Sequence, residues 1–390
     1  MTSSFDLIVI GASIVGSAFA LAIENAGLSV AVVEAHPPES LPNAPAWDAR
    51  VYTISPGNAH WLAALGVWRR MPCDRLTRVE TMCVYGDRQP SVLEFSAYDC
   101  GLRELAWVAE NRELQRSLWS TLAQAPHVTL YPSARCEAIR WERDGVQLTL
   151  DDGRALHAPL IIGADGADSW VRARAGIAVT SHDYRQLGVV ANFETERSHE
   201  GTAYQWFLAE GVLALLPLPG NRVSMVWSAH LPWAHTLLDA SPESLCEQVE
   251  HASKSALGKL RLVTPPAGFA LKRTRVDRLV QARVALLGDA AHNVHPLAGQ
   301  GVNLGLRDAR ALAEVLANRG AQYDCGDYAL LRRYERARAE DIAALELTTD
   351  GLEKLFGTQA VWMATLRNLG LTLVDSQPLV KAALVRRAVA

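Results

Sequence analysis

Positive charge is not in excess along this 390-residue chain: 38 lysines and arginines stand against 42 acids, a formal net charge of -4. That balance gives no reason to expect nucleic acid as a partner. Close cysteine pairs are missing as well. The six cysteines, Cys73, Cys83, Cys100, Cys136, Cys246 and Cys325, are scattered, which excludes a redox dithiol and zinc-ligand spacing and leaves reduced, mostly buried thiols as the expectation. No lysine or arginine precedes Arg50, so the apolar run from Leu7 to Ile23 lacks the basic flank of a signal peptide. The run is also interrupted by glycine and serine and is short for a membrane span. The expected location is therefore the cytoplasm. No nucleophile–base triad stands out, so no residue is assigned as catalytic and no metal is expected.

What is present is an ordinary globular composition, 49% hydrophobic and 21% charged, with length for two domains. The stretch Gly288-Asp289-Ala290-Ala291-His292-Asn293 continues through Pro296, Gly299, Gln300, Gly301, Val302 and Asn303. It follows the strand-like run Val284 to Leu287 and enters a helical pattern from Val302 to Leu316. A strand, a glycine-rich loop and a helix N-terminus offer close backbone approach and unpaired N–H groups to an anionic or dipolar ligand. Asp289, unable to hold a phosphate directly, reads as an acceptor for ligand hydroxyls or as a partner through water or metal. A plain strand-to-helix turn explains the same residues.

The N-terminus breaks that tie. Leu7 to Ile10 reads as a strand and Gly11-Ala12-Ser13-Ile14-Val15-Gly16 is close to the dinucleotide fingerprint. A helical pattern follows from Ser17 to Ala26, then a second strand from Val30 to Val33 ending in Glu34. An acid about 20 residues beyond the loop can bind a ribose diol. Ser13 stands where the fingerprint has its middle glycine.

A third loop, Gly163-Ala164-Asp165-Gly166-Ala167-Asp168-Ser169-Trp170-Val171-Arg172, follows the short apolar run Leu160 to Ile162. With these three stretches in this order, the chain resembles the class A flavoprotein monooxygenases, of which p-hydroxybenzoate hydroxylase is the familiar member. The closer likeness is to the ring hydroxylases of ubiquinone biosynthesis. It is carried by Glu110-Asn111-Arg112-Glu113-Leu114-Gln115, Tyr184-Arg185-Gln186, Gly201-Thr202-Ala203-Tyr204-Gln205 and Leu366-Arg367-Asn368-Leu369-Gly370-Leu371 with Pro378 and Lys381.

The resemblance implies an α/β fold: a Rossmann-like FAD-binding domain, p-hydroxybenzoate hydroxylase-like, with an inserted antiparallel-sheet substrate domain and a C-terminal helical region. The FAD-binding domain is expected in three parts, residues 1–76, 109–180 and 276–345, with the substrate sheet at 77–108 and 181–275 and the helical region at 346–390. Implied cofactor contacts are Gly11, Ser13, Ile14, Gly16, Glu34, Arg50, Arg112, Cys136, Asp165, Asp289, Pro296, Gly299, Gln300, Gly301, Val302 and Asn303. Tyr204, Gln205, Trp206 and Trp227 are the candidate substrate contacts, with Trp206 standing where the family pattern has an arginine. The implied chemistry uses FAD, NAD(P)H as a transient reductant and O2 as co-substrate, through a flavin hydroperoxide that hydroxylates a prenylated phenol. No second fingerprint offers a separate NAD(P)H domain, and Asp165 is implied in binding both cofactor and donor.

The remaining pattern fits that outline. Thr77 to Phe95 alternates like a hairpin with Gly86 and Pro90 near its turn, and Asn111 to Leu122 reads as a helix with Leu114, Leu118 and Leu122 on one face. Cys136 to Leu150 reads as two short strands around Asp144-Gly145 and Asp151-Asp152-Gly153 as a second turn, together a small meander that covers the adenine end. Four alternating runs between Leu187 and Ala229 suggest an antiparallel sheet whose tryptophans either wall a substrate or form its core. Leu331 to Arg338 carries opposite charges at i,i+3 and i,i+4, as on a solvated helix face. The basic, apolar stretch from Leu352 to Val389 suits a membrane surface, the body of the protein or a sister subunit. Expected partners are a hydrophobic aromatic small molecule, with peripheral membrane contact, a quinone-biosynthesis complex and a homo-oligomer left open.

Overall fold

The computed structural model describes residues 2–38, 47–86, 92–293, 301–320 and 323–357. Pro90, Pro296, Gly299, Gln300 and everything beyond Gly357 lie outside the described residues. The α-helices among them are α1 (Ile14–Ala22), α2 (Pro56–Ala64), α3 (Asn111–Leu122), α4 (Trp170–Arg174), α5 (Leu231–Leu238), α6 (Pro242–Ala252), α7 (Gly301–Ala317) and α8 (Tyr328–Gly357).

A six-stranded sheet organises the first lobe, in the order Val280–Gln281, Val284–Leu286, Leu160–Gly163, Leu7–Ile10, Val30–Glu34, Val128–Pro132. The last five run parallel. Continuous apolar runs such as Leu-Ile-Val-Ile suit strands covered on both faces, and Leu7 to Val9 and Leu160 to Ile162 are wholly buried. Helices α1, α3 and α7 pack together beside it, and Leu114, Leu118 and Leu122 on α3 are buried as their spacing requires. The loops after Ile10, Gly163 and Leu286 leave the carboxyl ends of three adjacent parallel strands, the usual position of a ligand crevice in such sheets.

The meander expected after Cys136 forms a four-stranded sheet, Cys136–Trp141, Val146–Leu150 and Ala155–Ala158 with Thr2–Ser4 at its edge. A three-stranded sheet joins Val51–Ile54, Ala106–Glu110 and Leu76–Val79. The expected hairpin is therefore shorter than its alternation suggested. Only Thr81–Tyr85 and Val92–Ser96 pair with each other, while Leu76–Val79 is claimed by Ala106–Glu110.

The second lobe is a nine-stranded sheet dominated by Val179–Thr195, Thr202–Leu208, Gly211–Leu218, Arg222–His230 and Ala267–Val276. Cross-strand partners share a face, so the registers Trp206↔Leu213↔Trp227↔Val189 and Gln205↔Ala214↔Val226↔Val190 assign each residue to a side. The first set, with Ala191, Phe193 and Met225, packs under α5 and α6 through Ala234, Leu237, Leu245 and Val249. Helix α6 starts as its sequence specifies, Ser241 Oγ accepting from Ser244 N–H at 3.2 Å and Pro242 in the first turn. The opposite face meets the first lobe, where Asn192 Nδ2 donates to Asp48 O at 2.8 Å.

The helix face read as solvated between Leu331 and Arg338 is mixed. Arg332 pairs with Glu335 near the surface, but Tyr334 and Arg338 are buried, Arg338 against Asp308 of α7. Among the described residues no helix is long and apolar enough to cross a membrane.

Candidate functional site

Three loops more than a hundred residues apart in sequence meet at the first turn of α1. Gly11 has φ +94°, and a Cβ there would lie 2.4 Å from Ala164 O in the Asp-Gly loop. Ala164 N–H in turn donates to Ile10 O at 2.8 Å. A Cβ at Gly16 would lie 2.0 Å from Gly11 O, so this glycine lets α1 close on its own loop. From the other side, Gly288 (φ +58°) and Gly305 both abut Val15 of α1. Arg172 ties the Asp-Gly loop to the Gly-Asp loop, donating to Ala290 O at 2.8 Å and to Ala167 O at 2.7 Å.

This junction fits an extended dinucleotide. Ser13 is the N-cap of α1 yet its side chain makes no capping bond, so it leaves to a ligand the first-turn N–H groups that a pyrophosphate would take. Its Oγ accepts instead from Gln115 Nε2 at 3.1 Å, and a small polar residue at the fingerprint's middle position is accommodated at the surface. Ile14 follows as the first residue of α1. Glu34 ends the second strand beside the loop, its carboxylate accepting from Ala12 N–H at 2.6 Å and His36 N–H at 2.8 Å. Cys136 lies close to both Glu34 and Asp165. Burial pushes its thiol up to about 12, with the negative charges of Asp165, Asp151 and Glu34 adding to the rise. It is a neutral wall residue and no nucleophile.

At the far end stands Asp289, whose side chain reaches solvent although protein surrounds it on most sides. Enclosure raises its carboxyl above the usual range, and the positive charges of His292 and Arg50 oppose the rise. Arg50 lies between two aromatic rings, its guanidinium carbon 5.4 Å from the Tyr52 ring centre and 5.2 Å from that of Phe269. Tyr52 is itself deeply enclosed, and burial raises its phenol while Arg50 opposes the rise. Asp289, Arg50 and Tyr52 thus share one corner, facing the second lobe.

Arg50 is set there by Asp48, whose Oδ1 accepts Arg50 N–H at 2.9 Å and whose Oδ2 accepts Arg112 N–H at 3.0 Å. Glu110 carries the support further, accepting Asp48 N–H at 2.6 Å and pairing with Arg75 at 2.9 Å. Tyr52 and Asp48 were not singled out from sequence. Asp48-Ala49-Arg50 does have the pattern of an Asx-turn, which is the local signal for this geometry.

Three expectations change on contact with the structure. Asp165 does not extend a free carboxylate: it accepts from Ser169 Oγ–H at 2.5 Å and Val171 N–H at 3.0 Å, capping the start of α4 and shaping its loop. The Asn303 side chain is spent on the first lobe, accepting from Ser55 N–H at 2.8 Å and Asn58 Nδ2 at 3.0 Å and donating to Thr53 O at 2.8 Å. Its backbone O also accepts from Asn58 Nδ2 at 3.2 Å, within the first turn of α7 that begins at Gly301 and Val302. Of the four substrate candidates, Gln205 alone lies on the face toward the first lobe. Tyr204, Trp206 and Trp227 lie on the helix-covered face, because strand register alternates their side chains away from it. Trp206 stacks between Tyr85 at 5.4 Å and Tyr204 at 5.7 Å, a packing role for the residue that replaces the pattern's arginine.

A parallel sheet whose three glycine loops converge on one helix start, under the face of an antiparallel sheet, defines a flavoprotein of the two-lobed monooxygenase class. Residues 4–348 match the family described as FAD binding domain, and the chain belongs to that family. It is 35% identical over 384 residues to ubiquinone hydroxylase UbiL of Rhodospirillum rubrum, covering 98% of this chain and 89% of that one. It is 33% identical to the 3-demethoxyubiquinol 3-hydroxylase of Escherichia coli, covering 96% of each. Among solved structures it is similar to Pseudomonas aeruginosa PqsL in complex with 2-aminobenzoylacetate, at a TM-score of 0.79 and 25% identity, covering 95% of this chain and all of that one. The protein is an FAD-dependent hydroxylase.

Proposed function

We propose that this chain adds a hydroxyl group to the aromatic ring of a polyprenylated phenol on the route to ubiquinone. The observation that carries the reading is the meeting of the three loops beneath the inner face of the nine-stranded sheet, at a corner that places Asp289, Arg50 and Tyr52 against the second lobe. The named activities of the similar hydroxylases support the choice of substrate.

In the balanced reaction one oxygen atom of O2 replaces a ring C–H with C–OH and the other leaves as water, the electron pair coming from NAD(P)H. Bound FAD supplies the oxygen and electron chemistry. The chain's own part is to bind and to orient. Backbone N–H groups of α1 would take the pyrophosphate, Glu34 a ribose diol and Asp289 a hydroxyl of the sugar-alcohol chain. The first turn of α7 would lend dipoles to the polar edge of the ring system. Arg50 adds a fixed positive charge at the same corner. Small and apolar side chains on the inner sheet face, Ala203, Ala214, Leu216 and Val226, suit a greasy ring and exclude water. The prenyl tail keeps the substrate in a lipid bilayer, and the enzyme meets it there as a peripheral protein.

Purified protein supplied with NADPH or NADH, O2 and a prenylphenol tests the reading by product mass. One added oxygen, matched to reductant consumed, supports it. Reduction of the tail would show a different reaction on the same scaffold, and flavin binding with no turnover under either donor would show an assembly subunit instead.

A further inference from the structure

A buried ionic cluster under the Gly-Asp loop is unused by the chemistry above. Asp308 of α7 is wholly buried and accepts three bonds. Gly288 N–H donates to its Oδ2 at 3.1 Å, His292 Nε2 lies 2.6 Å from the same oxygen, and Arg338 Nε of α8 donates to Oδ1 at 2.8 Å. Gly288 immediately precedes Asp289, and His292 closes the same turn. Arg338 is further held by Asp341 at 2.5 Å, and Tyr334 Oη–H donates to Leu286 O at 2.9 Å in the strand that feeds the loop.

We infer that Asp308 is a positioning residue for the dinucleotide: by gripping Gly288, His292 and Arg338 together it sets the Asp289 turn at the depth the ligand hydroxyl requires. The carboxylate touches no ligand itself. It acts because one rigid acceptor receives both ends of the five-residue turn Gly288 to His292, and because α8 holds that acceptor from behind.

His292 is the variable member. The groups facing it are Asp308 from α7, Arg338 from α8, Asp289 on its own turn and Arg275 opposite it in strand register. Burial works against its charge, but Asp308, with Asp289 adding, prevails and raises its pKa above the ordinary value. For Asp308, burial works to raise the carboxyl while His292 and Arg338 hold it below the usual range. A histidine raised on folding contributes its full stabilisation below about pH 6.5 and loses it as pH climbs through the folded value. The turn therefore holds best when His292 is an imidazolium, and flavin binding weakens on the alkaline side of that pKa.

The experiment is a titration of apoprotein with FAD, followed by flavin fluorescence, from about pH 6 to about pH 10 across the histidine range. Wild type is expected to lose roughly tenfold in affinity over an alkaline step, with the melting temperature of the apoprotein moving less than that of the holoprotein. His292→Gln keeps a hydrogen bond to Asp308 and loses the titrating charge, so its affinity is expected to be weaker and flat across the same range. Asp308→Asn is expected to bind FAD at least about tenfold more weakly at every pH. If Asp308→Asn does not fold, His292→Gln decides alone. A step of unchanged size in His292→Gln, a flat wild-type profile, or wild-type affinity in a folded Asp308→Asn overturns the inference. Each readout is flavin affinity, so failure here is separate from failure of the proposed substrate.

Discussion

The two sheets place their function differently. In the six-stranded parallel sheet it lies at the strand ends: Leu7–Ile10, Leu160–Gly163 and Val284–Leu286 each release a loop toward the start of α1, and glycines let those loops touch. The nine-stranded sheet instead offers a face, and neighbouring residues on one strand take opposite sides of it. Gln205 looks toward the cofactor lobe while Tyr204 and Trp206 beside it support α5 and α6. A site at strand ends is specified locally, by a run of apolar residues and a glycine. A site on a face is specified by register, which depends on partners elsewhere in the chain.

The sharpest way to break that contrast is Gly11→Val. The left-handed backbone and the 2.4 Å approach to Ala164 O leave no room for a side chain, and strain of about 1–3 kcal/mol falls on the loop junction itself. Flavin binding should be lost, seen as colourless protein that retains its strand signature by circular dichroism. A yellow Gly11→Val protein would mean the loops need not touch. Next comes Trp227→Ala. As a buried core side chain it should cost about 3–5 kcal/mol of stability in calorimetry, while KM for the aromatic substrate stays within about twofold. A large KM change with little loss of stability would put Trp227 in the substrate site. Asp289→Ala should weaken FAD binding by roughly 10- to 100-fold, or about 1.4–2.8 kcal/mol, with the apoprotein melting as before. The smallest effect is expected from Gln205→Leu: a change of a few-fold in KM, and stability within about 0.5–1 kcal/mol of wild type by thermal melting.

The same contrast explains what could be read from the chain alone. The fingerprint, the Asp-Gly and Gly-Asp loops, α3 and the N-cap of α6 rest on short-range rules, and each stands where those rules put it. What stayed hidden is relational. Asn303 has the look of a ligand-facing loop residue, but its partners Thr53, Ser55 and Asn58 lie some 245 to 250 positions earlier. Arg338 sits in a charge-rich helical stretch that reads as solvated, and only the approach of Asp308 from another helix makes its burial tolerable. The sides taken by Trp206 and Trp227 became definite once the register of three strands was known.

The order of strands in the parallel sheet has a consequence for how the chain is made. Val284–Leu286 pairs with Leu160–Gly163, so during synthesis that partner keeps an unpaired edge until the whole of the intervening antiparallel stretch has been made. The antiparallel strands from Val179 to Val276 emerge in one stretch and find their neighbours at once. The parallel sheet is thus completed only after the antiparallel strands that interrupt it in sequence, and the loop after Leu286 is the last of the three to reach the start of α1.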